Sequence, residues 1–168
     1  MKKNLFMLMA ILTMFSIVHA EDRRNVQMAL LNSTNHNEVF YGSDALIEAY
    51  ETAVDLSVQL ENEFWATITL TPGKFNSPGA ISIPITITGS YGFSYIPEDH
   101  PFNDDGSLRI PRDEKTQTIL DAATTISADD VTIEGIFFPT VVSIGKVDNC
   151  HFKRCFINTL TSSGIHTN

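Results

Sequence analysis

The spacing of apolar residues changes once along the chain, from a helical period to the period of a strand. Leu46, Tyr50 and Val54 recur at four-residue steps, while acidic residues occupy the opposite side. Apolar residues at this spacing form one stripe along a helix, and Ser43 suits the position that caps the first turn. The pattern therefore predicts a helix over residues 43–60.

After Trp65 apolar and polar residues alternate in short runs that end at Gly, Pro, Asp or Ser. The runs cover residues 67–70, 81–83, 85–88, 118–120, 131–133, 141–144 and 150–152. Their β-branched residues and two-residue period predict short strands, each with one face buried.

Three of these runs align without gaps, at residues 85–89, 131–135 and 150–154. The third begins 19 residues after the second, which fits one turn of a coil built from three short strands. The second begins 46 residues after the first, which fits one turn plus a long polar loop at 91–117. Stacked turns would bury equivalent apolar residues over one another.

Several segments resemble the N-terminal part of the pectate-lyase-like superfamily, a group of secreted proteins. They are "DALIEAYETAV", "WATITLTPGKF", "ISIPITITGSYG", "TILDA" and "ADDVTIEGIFF", within residues 43–157. The resemblance implies an all-β fold, a right-handed parallel β-helix of about three turns over residues 61–168. It also implies that helix 43–60 caps the N-terminal end of the coil.

The same resemblance implies a module that engages carbohydrate, as the N-terminal part of a polysaccharide lyase or a glycoside hydrolase. Whether the chain is an enzyme stays open, because catalytic residues in that group normally lie further along the coil. Two alternatives are a non-catalytic surface or adhesion solenoid and an inactive fragment of a longer protein.

Nothing after Ile157 resembles a C-terminal cap, and members of the superfamily usually have many more turns. An uncapped last turn exposes apolar surface and strand edges. We therefore expect either truncation at this end, or a further part of the chain or another subunit that covers it.

The first twenty residues have the form of a secretory signal. Lys2 and Lys3 precede an apolar run at 5–18, and small residues follow where a signal peptidase cleaves. A membrane anchor is the competing interpretation, but the run is short for a bilayer. We expect a secreted, periplasmic or cell-surface protein without membrane attachment after cleavage, and a linker or loose arm at 21–42.

Length and charge indicate the number of domains and exclude one class of partner. A chain of 168 residues suggests one domain, and 11 basic against 20 acidic residues give a net charge of −9. A nucleic-acid partner is therefore not expected, because DNA and RNA binding needs a basic surface.

The candidate binding residues are Thr132, Glu134, His151, Lys153 and Arg154, at or beside outward positions of the aligned segments. Together with threonines of the preceding segment, they predict a shallow face that contacts a polysaccharide or glycan. Lyase chemistry needs a base that removes the proton next to a uronate carboxylate and a cation that stabilises the resulting charge, and Lys153, His151 or Arg154 could supply these. The simpler interpretation of Glu134 and Lys153 is an ordinary cross-strand pair. No catalytic residue is assigned.

Two further groups carry alternative interpretations. Asp104 and Asp105 offer oxygen ligands for Ca²⁺, although Asp-Asp-Gly is also a common turn sequence, so we predict no metal site and no cofactor. Cys150 and Cys155 occupy inward positions on adjacent strands, where they are either buried thiols or a disulfide.

Overall fold

The computed structural model describes residues 26–60, 63–90 and 116–163. The first part contains β1 (Met28–Ser33), β2 (His36–Tyr41), α1 (Ala45–Leu60), β3 (Ala66–Leu70), β4 (Gly73–Phe75), β5 (Ala80–Ile81) and β6 (Ile85–Thr88). The second part contains β7 (Thr118–Leu120), β8 (Thr124–Ile126), β9 (Val131–Glu134), β10 (Phe137–Ile144), β11 (His151–Lys153) and β12 (Phe156–Ser162).

The strands form two six-stranded sheets with the main core between them. The first sheet has the order β11-β9-β6-β3-β1-β2, in which β3, β6, β9 and β11 are parallel. Strand β1 is antiparallel to both of its neighbours, β2 and β3. The second sheet is curled and parallel, with the order β4-β7-β10-β8-β5 and with β12 beside β10.

The prediction of an all-β, right-handed parallel β-helix is wrong, because the chain has an α/β-type fold of two sheets and a helix. The predicted coil needs a corner between the runs at 136–138 and 142–144. Strand β10 instead continues through Pro139 and Thr140, with only a register shift between Phe138 and Val141. Proline is tolerated at such irregularities, so two predicted strand classes join one sheet rather than two.

The alignment of the three repeated segments is confirmed. Ile85 pairs with Val131, and Ile133 pairs with both Ile87 and Phe152. A slip by one residue would turn every buried isoleucine to solvent, so the hydrophobic pattern specifies this register.

Part of the predicted linker at 21–42 is a hairpin, since residues 28–33 and 36–41 form β1 and β2. Ala29 and Leu31 are fully buried, and Asn35 adopts a left-handed conformation in the turn, with φ 58°. Asparagine tolerates this conformation better than most residues. The polar cluster that favoured a linker is therefore the turn of the hairpin together with its adjoining strand ends.

Helix α1 covers Ala45–Leu60 and so begins two residues after the start of the predicted helix at 43–60. Its apolar side is buried and packs against β1, β2 and β3. The Tyr50 hydroxyl accepts a hydrogen bond of 2.6 Å from the Ser82 amide, which ties the helix to the loop after β5. The helix thus covers the hairpin end of the first sheet.

Burial decreases towards the last strand of each sheet. Ile68, Ile87 and Ile133 are fully buried, whereas Phe152, next in the same row, is half-buried. The predicted signal at 1–20 lies outside the described residues, as do Asp104, Asp105 and most of the predicted loop at 91–117.

Candidate functional site: the outer face of the first sheet

The outer face of the first sheet carries two rows of polar side chains. The first row contains Thr67, Thr86, Thr132 and His151, and the second contains Thr69, Thr88, Glu134 and Lys153. Residues paired in register share a face, and the alternate residues on these strands point into the core. With strands about 4.8 Å apart, each row spans about 14 Å, and the rows lie about 7 Å apart.

Both rows continue onto the hairpin, where the second row becomes apolar. Leu30 pairs with Thr69 on one side and with Val39 on the other, and Tyr41 lies two residues further along β2 on the same face. Leu30, Val39 and Tyr41 are all exposed. The second row is therefore apolar at the hairpin, hydroxylated in the middle and charged at β9 and β11, whereas the first row continues onto the hairpin with the exposed polar residues Asn32 and Asn37.

The charged end brings together all five residues that the sequence predicts as a binding site. Thr132 pairs with His151, and Glu134 pairs with Lys153 in the parallel ladder. The ion pair of Glu134 is formed with Arg154, whose Nη2 donates to Oε1 of the carboxylate. Lys153 and His151 are exposed beside this pair.

Arg154 reaches Glu134 from the corner that follows β11. It adopts a left-handed conformation with φ 51°, as does Gly135 with φ 66° at the equivalent corner after β9. The Gly135 amide donates a hydrogen bond of 2.9 Å to the Lys153 carbonyl, which holds the two corners together. The conformation of this corner therefore fixes the backbone position of Arg154, whose guanidinium pairs with Glu134.

The sequence prediction missed β3 and the hairpin as parts of this face. Thr67 and Thr69 repeat the Thr-Ile-Thr pattern of Thr86 and Thr88, so a signal for their place in the rows was present. Leu30 and Val39 had no comparable signal, because antiparallel pairing of β1 with β3 is not encoded in a repeat offset.

The chemistry available on this face is hydrogen bonding and charge pairing. Each threonine hydroxyl can donate one hydrogen bond and accept others, and Lys153 offers three donors. In the described part of the chain, no three His, Cys, Asp or Glu side chains are grouped so that they could hold a metal ion. The arrangement supports contact with an extended ligand.

A second hydroxylated surface lies on the other sheet. It is a shallow hollow of about 250 Å³ lined by Thr125, Ser143, Ile144, Gly145, Thr161, Ser162 and Ser163. Thr125, Ser143 and Thr161 pair in register, and the Thr161 and Ser143 hydroxyls are 2.9 Å apart. This surface contains no charged residue, which distinguishes it from the outer face of the first sheet.

Cys150 and Cys155 are free, half-buried thiols, so the disulfide considered from the sequence is not formed. Burial raises the pKa of both thiols. Cys155 Sγ lies 3.4 Å from the Ile133 carbonyl oxygen. The Cys155 side chain therefore lies at the edge of the core. Neither cysteine has the depressed pKa of a reactive nucleophile.

None of the helical structure described here is long and apolar enough to cross a membrane. Comparisons with family models, curated proteins and solved structures find no match to this chain. The resemblance to the pectate-lyase-like superfamily therefore stays a prediction.

Proposed function

We propose that this protein binds an extended polysaccharide along the outer face of the first sheet. The observation that carries the proposal is the register of β3, β6, β9 and β11. It places two rows of hydroxyl groups next to the cluster of Glu134, His151, Lys153 and Arg154. A long polymer could contact several strands at once, which a compact metabolite could not.

The hydroxyl rows support a saccharide ligand because sugar hydroxyls and threonine hydroxyls are both donors and acceptors. Such pairs contribute about 0.5–1.5 kcal/mol each, so affinity must come from several of them along the row. The exposed Leu30, Val39 and Tyr41 extend the same face with apolar surface, against which the carbon side of a sugar ring can pack.

The charged end favours a polymer that carries carboxylates, such as a uronate chain. Lys153 is exposed there, and a charge-assisted hydrogen bond to a carboxylate is about twice as strong as a neutral one. Arg154 is already paired with Glu134, so Lys153 and His151 are the groups that we expect to meet the ligand.

The test compares binding of a uronate oligomer, oligogalacturonate, with its methyl-esterified counterpart by isothermal titration calorimetry. We expect Thr86→Val, which removes one row hydroxyl while keeping the side-chain shape, to weaken binding of both oligomers about 2- to 10-fold. Lys153→Ala should weaken binding of the charged oligomer alone.

The matched control is Thr125→Val, the same change on the exposed face of the second sheet. It should leave affinity for both oligomers unchanged. The proposal is refuted if the wild-type protein binds neither oligomer, or if Thr125→Val weakens binding as much as Thr86→Val does.

A further inference from the structure

Trp65 extends the outer face of the first sheet by one position before the two hydroxyl rows. It directly precedes β3 and lies two residues before Thr67 of the first row. Burial alternates through this segment, since Phe64 packs against the core, Trp65 is 50% exposed and Ala66 is buried. Residues two apart on an extended strand share a face, so the Trp65 side chain lies on the same side as Thr67, about 7 Å further along the strand.

The backbone at Trp65 is held by the hairpin. The buried Ser33 hydroxyl donates a hydrogen bond of 2.5 Å to the Trp65 carbonyl oxygen. The Thr34 hydroxyl donates a hydrogen bond of 3.0 Å to the Glu63 carbonyl oxygen. Because these bonds order the segment before β3, a ligand that contacts the indole does not have to order this backbone when it binds.

The exposure of Trp65 is unusual for its residue type. Tryptophan side chains are on average highly buried, yet half of the Trp65 surface is exposed to solvent. Pro84 has the equivalent position on the neighbouring strand, two residues before Thr86, and it is exposed as well. Two exposed apolar residues on neighbouring strands therefore lie at the beginning of the hydroxyl rows.

We propose that Trp65 and Pro84 form a subsite in which one ring of the polysaccharide stacks on the indole. This inference rests on the proposed polysaccharide binding and adds a contact that binding through the rows does not require. A pyranose ring has its hydroxyl groups around its edge and C–H groups on its faces. An aromatic ring can therefore cover one face while threonine hydroxyls meet the edge. A galacturonate ring offers such a face opposite its axial hydroxyl group.

The position of the subsite predicts the path of the polymer. Lys153 lies three strands away from Trp65 and two row spacings further along the sheet. With strands about 4.8 Å apart and rows about 7 Å apart, the two residues are about 20 Å from each other. A polymer that contacts both residues therefore crosses the rows diagonally, and a disaccharide is too short to reach both.

The first test uses the fluorescence of the wild-type protein, because Trp65 is the one tryptophan of the chain. Acrylamide quenches the emission of an exposed indole, and a sugar ring stacked on Trp65 would shield it. We expect saturating oligogalacturonate and its methyl-esterified counterpart both to lower the quenching constant towards that of a buried tryptophan. If calorimetry detects binding but quenching is unchanged, the subsite is overturned and polysaccharide binding stands. If neither oligomer binds, the proposed function fails and the subsite fails with it.

Substitutions separate stacking from charge pairing. Trp65→Ala should weaken binding of both oligomers about 2- to 12-fold, which corresponds to the loss of one aromatic contact, whereas Trp65→Phe should keep most of the affinity. Lys153→Ala should affect the charged oligomer alone. An effect of Trp65→Ala that is confined to the charged oligomer, or no effect on either, would contradict stacking. The control is Val58→Ala, which shortens an exposed apolar side chain on α1 and should leave both affinities unchanged.

Discussion

Replacing Arg154 with glycine should reveal how much conformational strain the corner after β11 stores. Arg154 has φ 51°, whereas glycine occupies the equivalent position after β9, at Gly135 with φ 66°. The left-handed conformation costs a residue with a Cβ atom about 1–2 kcal/mol of folding free energy, and glycine does not have this cost. Arg154→Gly removes that cost from the folded state.

Two effects oppose this gain. Glycine makes the unfolded chain more flexible, which costs about 0.4–1 kcal/mol of stability. The substitution also removes the ion pair with Glu134, which contributes about 0.2–1 kcal/mol at most because the Arg154 side chain is 64% exposed. Arg154→Ala loses the same ion pair but keeps the strained backbone. We therefore expect Arg154→Gly to be more stable than Arg154→Ala by about 0.8 kcal/mol, the difference between the midpoints of the two ranges.

The assay is urea unfolding followed by circular dichroism, with stability taken from the midpoint and the slope of the transition. Lys153, one residue earlier, is a matched control because it lies in β11, an extended strand. There Lys153→Gly should be less stable than Lys153→Ala, since glycine weakens a strand interior. The reasoning fails if alanine at position 154 is as stabilising as glycine.

Two further predictions concern packing and the thiols. Gly89→Ala should destabilise the protein by about 1–3 kcal/mol in thermal unfolding, because its Cβ would lie 2.7 Å from the Gly135 carbonyl oxygen. Gly145→Ala, whose nearest neighbour is a backbone oxygen at 3.2 Å, should cost less, and equal losses would contradict the packing argument. Burial raises the pKa of Cys150 and Cys155, so we expect slow labelling by Ellman's reagent at neutral pH until urea unfolds the chain. The folded state holds these thiol protons more tightly than the unfolded chain does. Stability should therefore be full below the ordinary cysteine pKa and decline as the pH rises above it; rapid labelling of the folded protein would show that burial does not protect the thiols.

Local pattern was sufficient wherever one arrangement alone could bury the apolar residues. The spacing of Leu46, Tyr50 and Val54, with Ala49 and Ala53 beside them, specified helix α1, since residues three and four apart share one side of a helix but not of a strand. The alternation in the repeated segments specified which face of each strand is buried, and pairs such as Ile87 with Ile133 follow it, because a slip by one residue would expose isoleucine. The five predicted binding residues lie together for the same reason.

Strand direction and sheet membership depended on the tertiary structure. Alternation has the same two-residue period in parallel and antiparallel strands, so the sequence did not reveal that β1 runs against β3 and carries Leu30 onto the outer face. The path of β10 through Pro139 was equally hidden, because a bulge and a corner use similar residues. Side-chain periodicity is a local property, whereas the neighbour that each strand finds depends on burial of the whole core.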